Sequence, residues 1–277
     1  MKYPRLIPLA IFFTLATALF GQSRGLKITV QEYNGELTIV SSQGTAKDLN
    51  IPDSINGMPI TGIGDGAFIR RGISTVIIPD TVTSIGEQAF SFNNLSSLEI
   101  GGSVASIGQK AFYSNRIEKL VLGQSVAEIG MGAFAENNLA ELVLPESVSS
   151  IGAYAFFNNK IRMLTVPNGV VSMGEGAFST NRMHTLVIGG STETIGDGAF
   201  YNNQLTAITV PASVTDLGKN VFEGRATMKS SQPPVDYLNE NGDLLFTTAN
   251  NFDAYYNANG KKPGKYTFTR EGWSLEE

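Results

Sequence analysis

The chain contains no cysteine. That excludes disulfide frameworks, thiol nucleophiles, iron–sulfur clusters and Cys-ligated zinc. A single histidine, His184, excludes a His-rich metal site within one chain. Charge is sparse, at 16% of 277 residues, and its balance is acidic, with a formal net of -5. Setting aside Lys2 and Arg5 leaves 25 acidic against 18 basic residues, a net of -7. Such a chain does not suit nucleic acid as a partner. With 42% hydrophobic residues the composition is that of a folded protein, neither disordered nor collagen-like.

Long apolar runs are also lacking. The longest extends only from Leu6 to Leu19 and includes Pro8, Thr14 and Thr17. A spanning helix needs about 20 apolar residues, more than this run supplies. Beginning with Lys2 and Arg5 and reaching the small residues Ala16-Thr17-Ala18 and Gly21 at the end of the apolar run, residues 1–21 match a secretory signal peptide. The expectation is an exported protein, in the periplasm or at the cell surface and beyond, with no membrane insertion after cleavage.

What is abundant is one repeated phrase. Ile-Gly-x-x-Ala-Phe recurs at one constant spacing, from Ile63-Gly64…Ala67-Phe68 through Ile85, Ile107, Ile129, Ile151, Met173 and Ile195 to the degraded Leu217-Gly218…Val221-Phe222. Its Gly and Phe columns are filled in all eight copies. Between copies run phrases such as Leu95-x-x-Leu98-x-Ile100 and Leu139-x-x-Leu142-x-Leu144, each closed by Pro or Gly. The alternation predicts a short strand with both apolar side chains on one face. A second extended segment is expected at Val-x-x-Ile. The Gly column marks a close approach or a special backbone angle, and Ala-Phe is expected to form a short helical turn. A unit as short as the step from Ile63 to Ile85 cannot bury a core alone, so the units must stack. An Asn column at Asn93, Asn115, Asn137, Asn159, Asn181 and Asn203 is expected to bond to backbone and from Asn to Asn along the stack. Arg71 and Arg225 replace it at the two ends, where terminal coils should meet solvent or a cap.

The fold class predicted is a β-rich leucine-rich-repeat solenoid with short helical turns and about eight 22-residue repeats. It has an N-terminal β-hairpin cap and a small aromatic C-terminal module. The expected divisions are a signal peptide over 1–21, an N-terminal cap over 22–44, the solenoid over 45–224 and a C-terminal cap or small β module over 225–277. The cap rests on alternation around Asn34-Gly35, a hairpin signal. The C-terminal module rests on Tyr237, Phe246, Phe252, Tyr255, Tyr256, Tyr266, Phe268 and Trp273, which either pack on the last coil or form a recognition module.

The repeated pattern Asn-x-Leu-x-x-Leu-x-Ile-Pro-x-x-Val-x-x-Ile-Gly-x-x-Ala-Phe resembles the BspA-like bacterial leucine-rich repeats, over about residues 45–224. The opening unit from Ile51 to Gly64 is similar to that family's usual first repeat. The likeness is strongest to exported spirochaete (treponemal) members. Ser103 stands where ordinary leucine-rich repeats carry Asn after the strand. The resemblance implies a curved solenoid on exported bacterial proteins, often surface adhesins that bind host matrix proteins or other cells.

Chemistry has few candidates. His184 falls just before a repeat strand and reads as a solvated edge residue. Asp65, Glu87, Glu175 and Asp197 follow the column Gly in one phase and are explained by favourable charge at the start of each helical turn. Asn239–Asp243 only faintly resembles a calcium loop, with its Gly out of register. No catalytic residue, metal site or cofactor is expected, and the chain reads as non-enzymatic. The strand surface is the better site. Period 2 turns outward the row Ile77, Glu99, Val121, Val143, Thr165, Val187 and Thr209, and the neighbouring column adds Lys119 and Glu141. This row is either a partner-binding face for a protein, with a host matrix protein as one candidate, or the ordinary use of β-branched residues in strands. The alternative function is a periplasmic structural or assembly protein that forms a homo-oligomer through its C-terminal module.

Overall fold

The computed structural model describes residues 11–13, 25–223, 256, 260–269 and 272–276. The rest of the expected signal peptide, Arg225, the Asn239–Asp243 segment and the aromatics Tyr237, Phe246, Phe252 and Tyr255 lie outside the described residues.

Each repeat makes one coil of a β-solenoid, and successive coils stack in register, each residue beside its counterpart one repeat on. Two parallel ladders run along the stack. One joins the Ser-Ile pairs, with Ile85 beside Ile63 and Ile107, and Ile107 beside Ile129. The other joins the Leu-x-Ile strands, such as Ser97–Glu99 beside Thr75–Ile77 and Lys119–Val121. Both extended segments predicted for the repeat are present, except that the Leu-x-Leu segment at 141–143 forms no strand. The first coil is longer than the regular repeat, since Leu49 pairs with Val76 whereas Val76 pairs with Leu98. The extra residues form a small hairpin, Ser54–Ile55 with Met58–Pro59, around Asn56-Gly57. Both turn residues have positive φ, 52° and 79°, as a tight two-residue hairpin requires.

The core is a column of phenylalanines. Phe68, Phe90, Phe112, Phe134, Phe156, Phe178, Phe200 and Phe222 are all fully buried. Neighbouring rings stack with centroids 5.1–5.8 Å apart and planes within 14° of parallel. Burying each ring contributes about 2–3 kcal/mol, available only because another coil covers it. The Gly column serves close approach and not a special angle. A Cβ at Gly108 would sit 2.6 Å from the carbonyl carbon of Gly86.

No helix occurs among the described residues of the coils, which corrects the expected helical turn. The Gly-x-x-Ala-Phe segment instead makes two successive tight turns. In the coil from Gly64, Ala67 N–H donates to Gly64 O and Ile69 N–H to Gly66 O, while Gly66, Phe68 and Arg70 donate to the next coil. Two positions per coil take left-handed φ, for example Lys110 at 53° and Ser114 at 53°. These angles divert alternate N–H groups from the coil's own carbonyls to its neighbour's, so a helix cannot propagate.

The buried Asn column bonds to backbone alone, correcting the expected Asn–Asn bonds. Asn137 Nδ2 donates to Phe112 O and Phe134 O at 3.0 and 3.1 Å, and its Oδ1 accepts Ile117 N–H at 3.0 Å. Each amide thereby closes the turn of its own coil and that of the coil before. At the N-terminal end Arg71 takes this place, and its guanidinium donates to Ser42 O and Ser42 Oγ. Ser42 belongs to the hairpin Lys27–Tyr33 with Glu36–Gln43, whose second strand runs parallel to Met58–Ile63 and continues the Ser-Ile ladder. The predicted N-terminal hairpin therefore covers the open end of the stack. Residues 11–13 pair antiparallel with Val30–Glu32 on the outer edge of that hairpin.

At the other end, Gly264–Thr269 pairs antiparallel with Ala207–Val210 and then with Gly272–Glu276. Tyr256 and Tyr266 are buried in the same core as the repeats, edge to face with centroids 5.7 Å apart. These two aromatics pack on the last coil, as the plainer of the two readings has it.

Candidate functional site

The Leu-x-Ile ladder places its residues as period 2 demands. Leu98, Leu142, Leu164 and Leu186 face the core, and the residues flanking them face out. Of the residues singled out, Ile77, Glu99, Val121, Val143, Thr165, Lys119 and Glu141 are exposed, while Val187 and Thr209 are partly covered. Among the large hydrophobics on this face, Val143 is 81% exposed, Ile77 and Met163 61%, and Val121 45%. Met163 enlarges the apolar stripe, although it sits in the column of Lys119 and Glu141. Its side chain was legible as an outward position but not as part of the row.

The strand face is not one continuous ladder. It comprises a four-stranded part ending at Lys119–Val121 and a five-stranded part starting at Met163–Thr165. Residues 141–143, between them, form no strand. A crevice of about 310 Å³ opens there, bounded by Leu142, Leu144, Met163, Leu164 and Pro167, with Glu146 and Thr185 adding polar groups.

The carboxylate column turns out to hold the turns of neighbouring coils, which replaces the helix-start explanation. Asp65 Oδ1 accepts Glu87 N–H at 2.7 Å, and Asp197 Oδ1 accepts Lys219 N–H at 2.8 Å. Glu87 accepts the side-chain amides of Gln88 and Gln109. Glu175 accepts the hydroxyl of Tyr154, and this bond to a carboxylate raises the Tyr154 pKa above the ordinary tyrosine range. Among the described residues no three His, Asp or Glu side chains converge as a metal site would need. His184 uses its backbone in the stack, its N–H donating to Arg162 O and its carbonyl accepting from Thr206 and Ala207. No helix among the described residues is long and apolar enough to cross a membrane.

Aromatic side chains also decorate the outside of the turns, a feature the repeat consensus does not show. Phe92 lies beneath the guanidinium of Arg70, 4.5 Å from centroid to Cζ, and meets Tyr113 edge-on at 5.3 Å. These rings are engaged with their neighbours.

The family model described as BspA type leucine-rich repeat region matches in 6 copies, covering residues 43–130, 61–184 and 105–229. No protein of curated function matches the chain. Among solved structures, a leucine-rich repeat protein of T. pallidum superposes with a TM-score of 0.54 at 24% identity, over 65% of this chain and 84% of that one. The pneumococcal vaccine antigen PcpA gives a TM-score of 0.43 at 18% identity, over 70% of each chain. A leucine-rich cell surface protein of Faecalibacterium prausnitzii gives 0.40 at 18% identity, over 94% of this chain and 61% of that one. The likeness to the T. pallidum protein concerns the fold.

Proposed function

The chain belongs to the BspA-type leucine-rich repeat family, and from that premise we propose that it is an exported, non-enzymatic protein that binds another protein across its strand face. The observation that carries this reading is the exposed apolar stripe of Ile77, Val121, Val143 and Met163 on an otherwise well-packed repeat. Apolar side chains of this size, aligned by the stacking of successive coils and flanked by Lys119 and Glu141, give a partner both buried area and charged register marks. Export rests on the signal-like residues 1–21. Adhesion to host matrix or neighbouring-cell proteins is the extension of this reading.

The test is a binding assay of the purified chain on a panel of extracellular-matrix proteins and on exported proteins of the same cells. Aspartate at Val121, Val143 and Val187 together is expected to abolish the binding found, with circular dichroism unchanged. Undiminished binding would overturn the assigned face. Protease treatment of intact cells, with a periplasmic protein as control, decides between surface and periplasm.

A second reading is favoured by one observation. Among the described residues Gly272–Glu276 closes the five-stranded sheet as an edge strand, and such an edge can pair with a second copy. Self-association through the C-terminal module would then give a periplasmic assembly protein. A monomeric mass in sedimentation at high concentration would reject it.

A further inference from the structure

The interruption of the strand ladder leaves main-chain groups open at one coil. At most other coils of the face the register supplies a cross-coil bond, such as Ile100 N–H to Val121 O at 3.0 Å and Val166 N–H to Val187 O at 2.9 Å. The equivalent N–H groups of Ile78, Leu122 and Leu144 make no backbone bond, but only the coil of Val143, which bonds across to neither neighbour, lacks these bonds on both sides. The same coil is sealed on its other side, where Phe112 N–H donates to Ala133 O and Phe134 N–H to Ala155 O, both at 2.8 Å. The opening is therefore local to the strand face and is not a loosening of the stack.

Open donors and acceptors beside an apolar recess are what an extended peptide needs, since its backbone can complete the bonds while a side chain fills the recess. At about 310 Å³ the crevice lies at the lower end of ligand pockets and suits one side chain. Val143 and Met163 stand exposed at its mouth. Its one charged lining residue is Glu146, and exposed Glu141 precedes Leu142 on the same coil. No lysine or arginine lines it. We infer that this crevice anchors an extended peptide segment of a protein partner, which inserts one Leu-, Ile- or Phe-sized side chain and carries a lysine or arginine beside it to face Glu146 and Glu141.

The inference rests on the strand-face reading and places the anchor within it. The test is a nuclear magnetic resonance titration of the isotope-labelled full chain with the capped peptide Lys-Thr-Leu-Thr-Lys. Two control peptides carry Asp in place of Leu, or Glu in place of both Lys. The expected result is saturable shifts of the Leu122, Val143 and Leu144 amides, with a dissociation constant between about 10 μM and 1 mM. Each control should bind at least about tenfold more weakly. Absence of shifts at these amides, or equal binding of the controls, overturns the inference. A protein partner separates the two readings. If Val143→Asp with Met163→Asp leaves its binding intact while Ile77→Asp with Val121→Asp abolishes it, the crevice fails and the face stands. If both pairs leave binding intact, the face fails too.

Discussion

Gly130 and Gly132 stand close together in one coil and are glycine for different reasons. A Cβ at Gly130 would lie 2.7 Å from Gln109 N and Gly108 C, backbone atoms of the coil before, and its φ is unremarkable. Gly132 has φ +61°, yet a Cβ there would meet only the side chain of Lys110 at 3.3 Å. Its column elsewhere holds Gln88, Lys110, Tyr154 and Asn220 at φ 53–56°. Gly130→Ala must push two coils apart and is expected to lower stability by about 2 kcal/mol or more. Gly132→Asn should change it by no more than about 0.5 kcal/mol, because Asn tolerates the left-handed region. Urea unfolding of the two variants measures the contrast. The repeat made one column invariant and left the other half glycine, so the need for glycine at Gly130 was legible. Its cause, close stacking and not dihedral angle, became visible only when the neighbouring coil was in place.

At the level of the element, the short turns show where local reasoning stops. In the coils where the second x is not glycine, such as Gly108-Gln109-Lys110-Ala111-Phe112, Gly-x-x-Ala-Phe has no breaker beyond its first residue, and helix propensity points to one helical turn. The coil adopts left-handed angles at Lys110 and Ser114 because each such residue turns an N–H towards a neighbouring carbonyl, here Met131 O and Ala135 O. That gain comes from stacking and has no signature in one repeat. The interruption at 141–143 is equally hidden. Leu142-x-Leu144-Pro145 has the same pattern as Leu164-x-Val166-Pro167, yet only the second belongs to a ladder. Hydrogen exchange should expose the difference. The amides of Leu122 and Leu144 are expected to exchange at least about tenfold faster than those of Ile100 and Ile188, whose N–H groups bond to Val121 O and Thr209 O. Equal protection at all four would mean that the ladder is continuous in solution.

On the scale of the whole molecule, stability is a sum of coil and interface contributions. Deleting residues 107–128 removes one complete period and joins Ser106 to Ile129, so the stacked rings, Asn closures and ladders can all re-form across the junction. This variant is expected to fold with an unchanged circular-dichroism shape and a smaller urea m-value, in proportion to the surface lost. The single substitution Arg71→Ala keeps the m-value but loses the guanidinium bonds to Ser42, at a cost of about 1.5 kcal/mol. Chemical denaturation distinguishes the two. A chain that slid by one period would present the same phenyl face, the same amide closures and the same carbonyls to its neighbour. The interior therefore holds almost no information about position. Arg71 over Ser42 and the lengthened step from Leu49 to Val76 break that degeneracy, because each differs from the inner coils. The N-terminal cap acts as the origin from which the coils are counted, and a chain with that origin erased would populate slipped isomers of nearly equal energy.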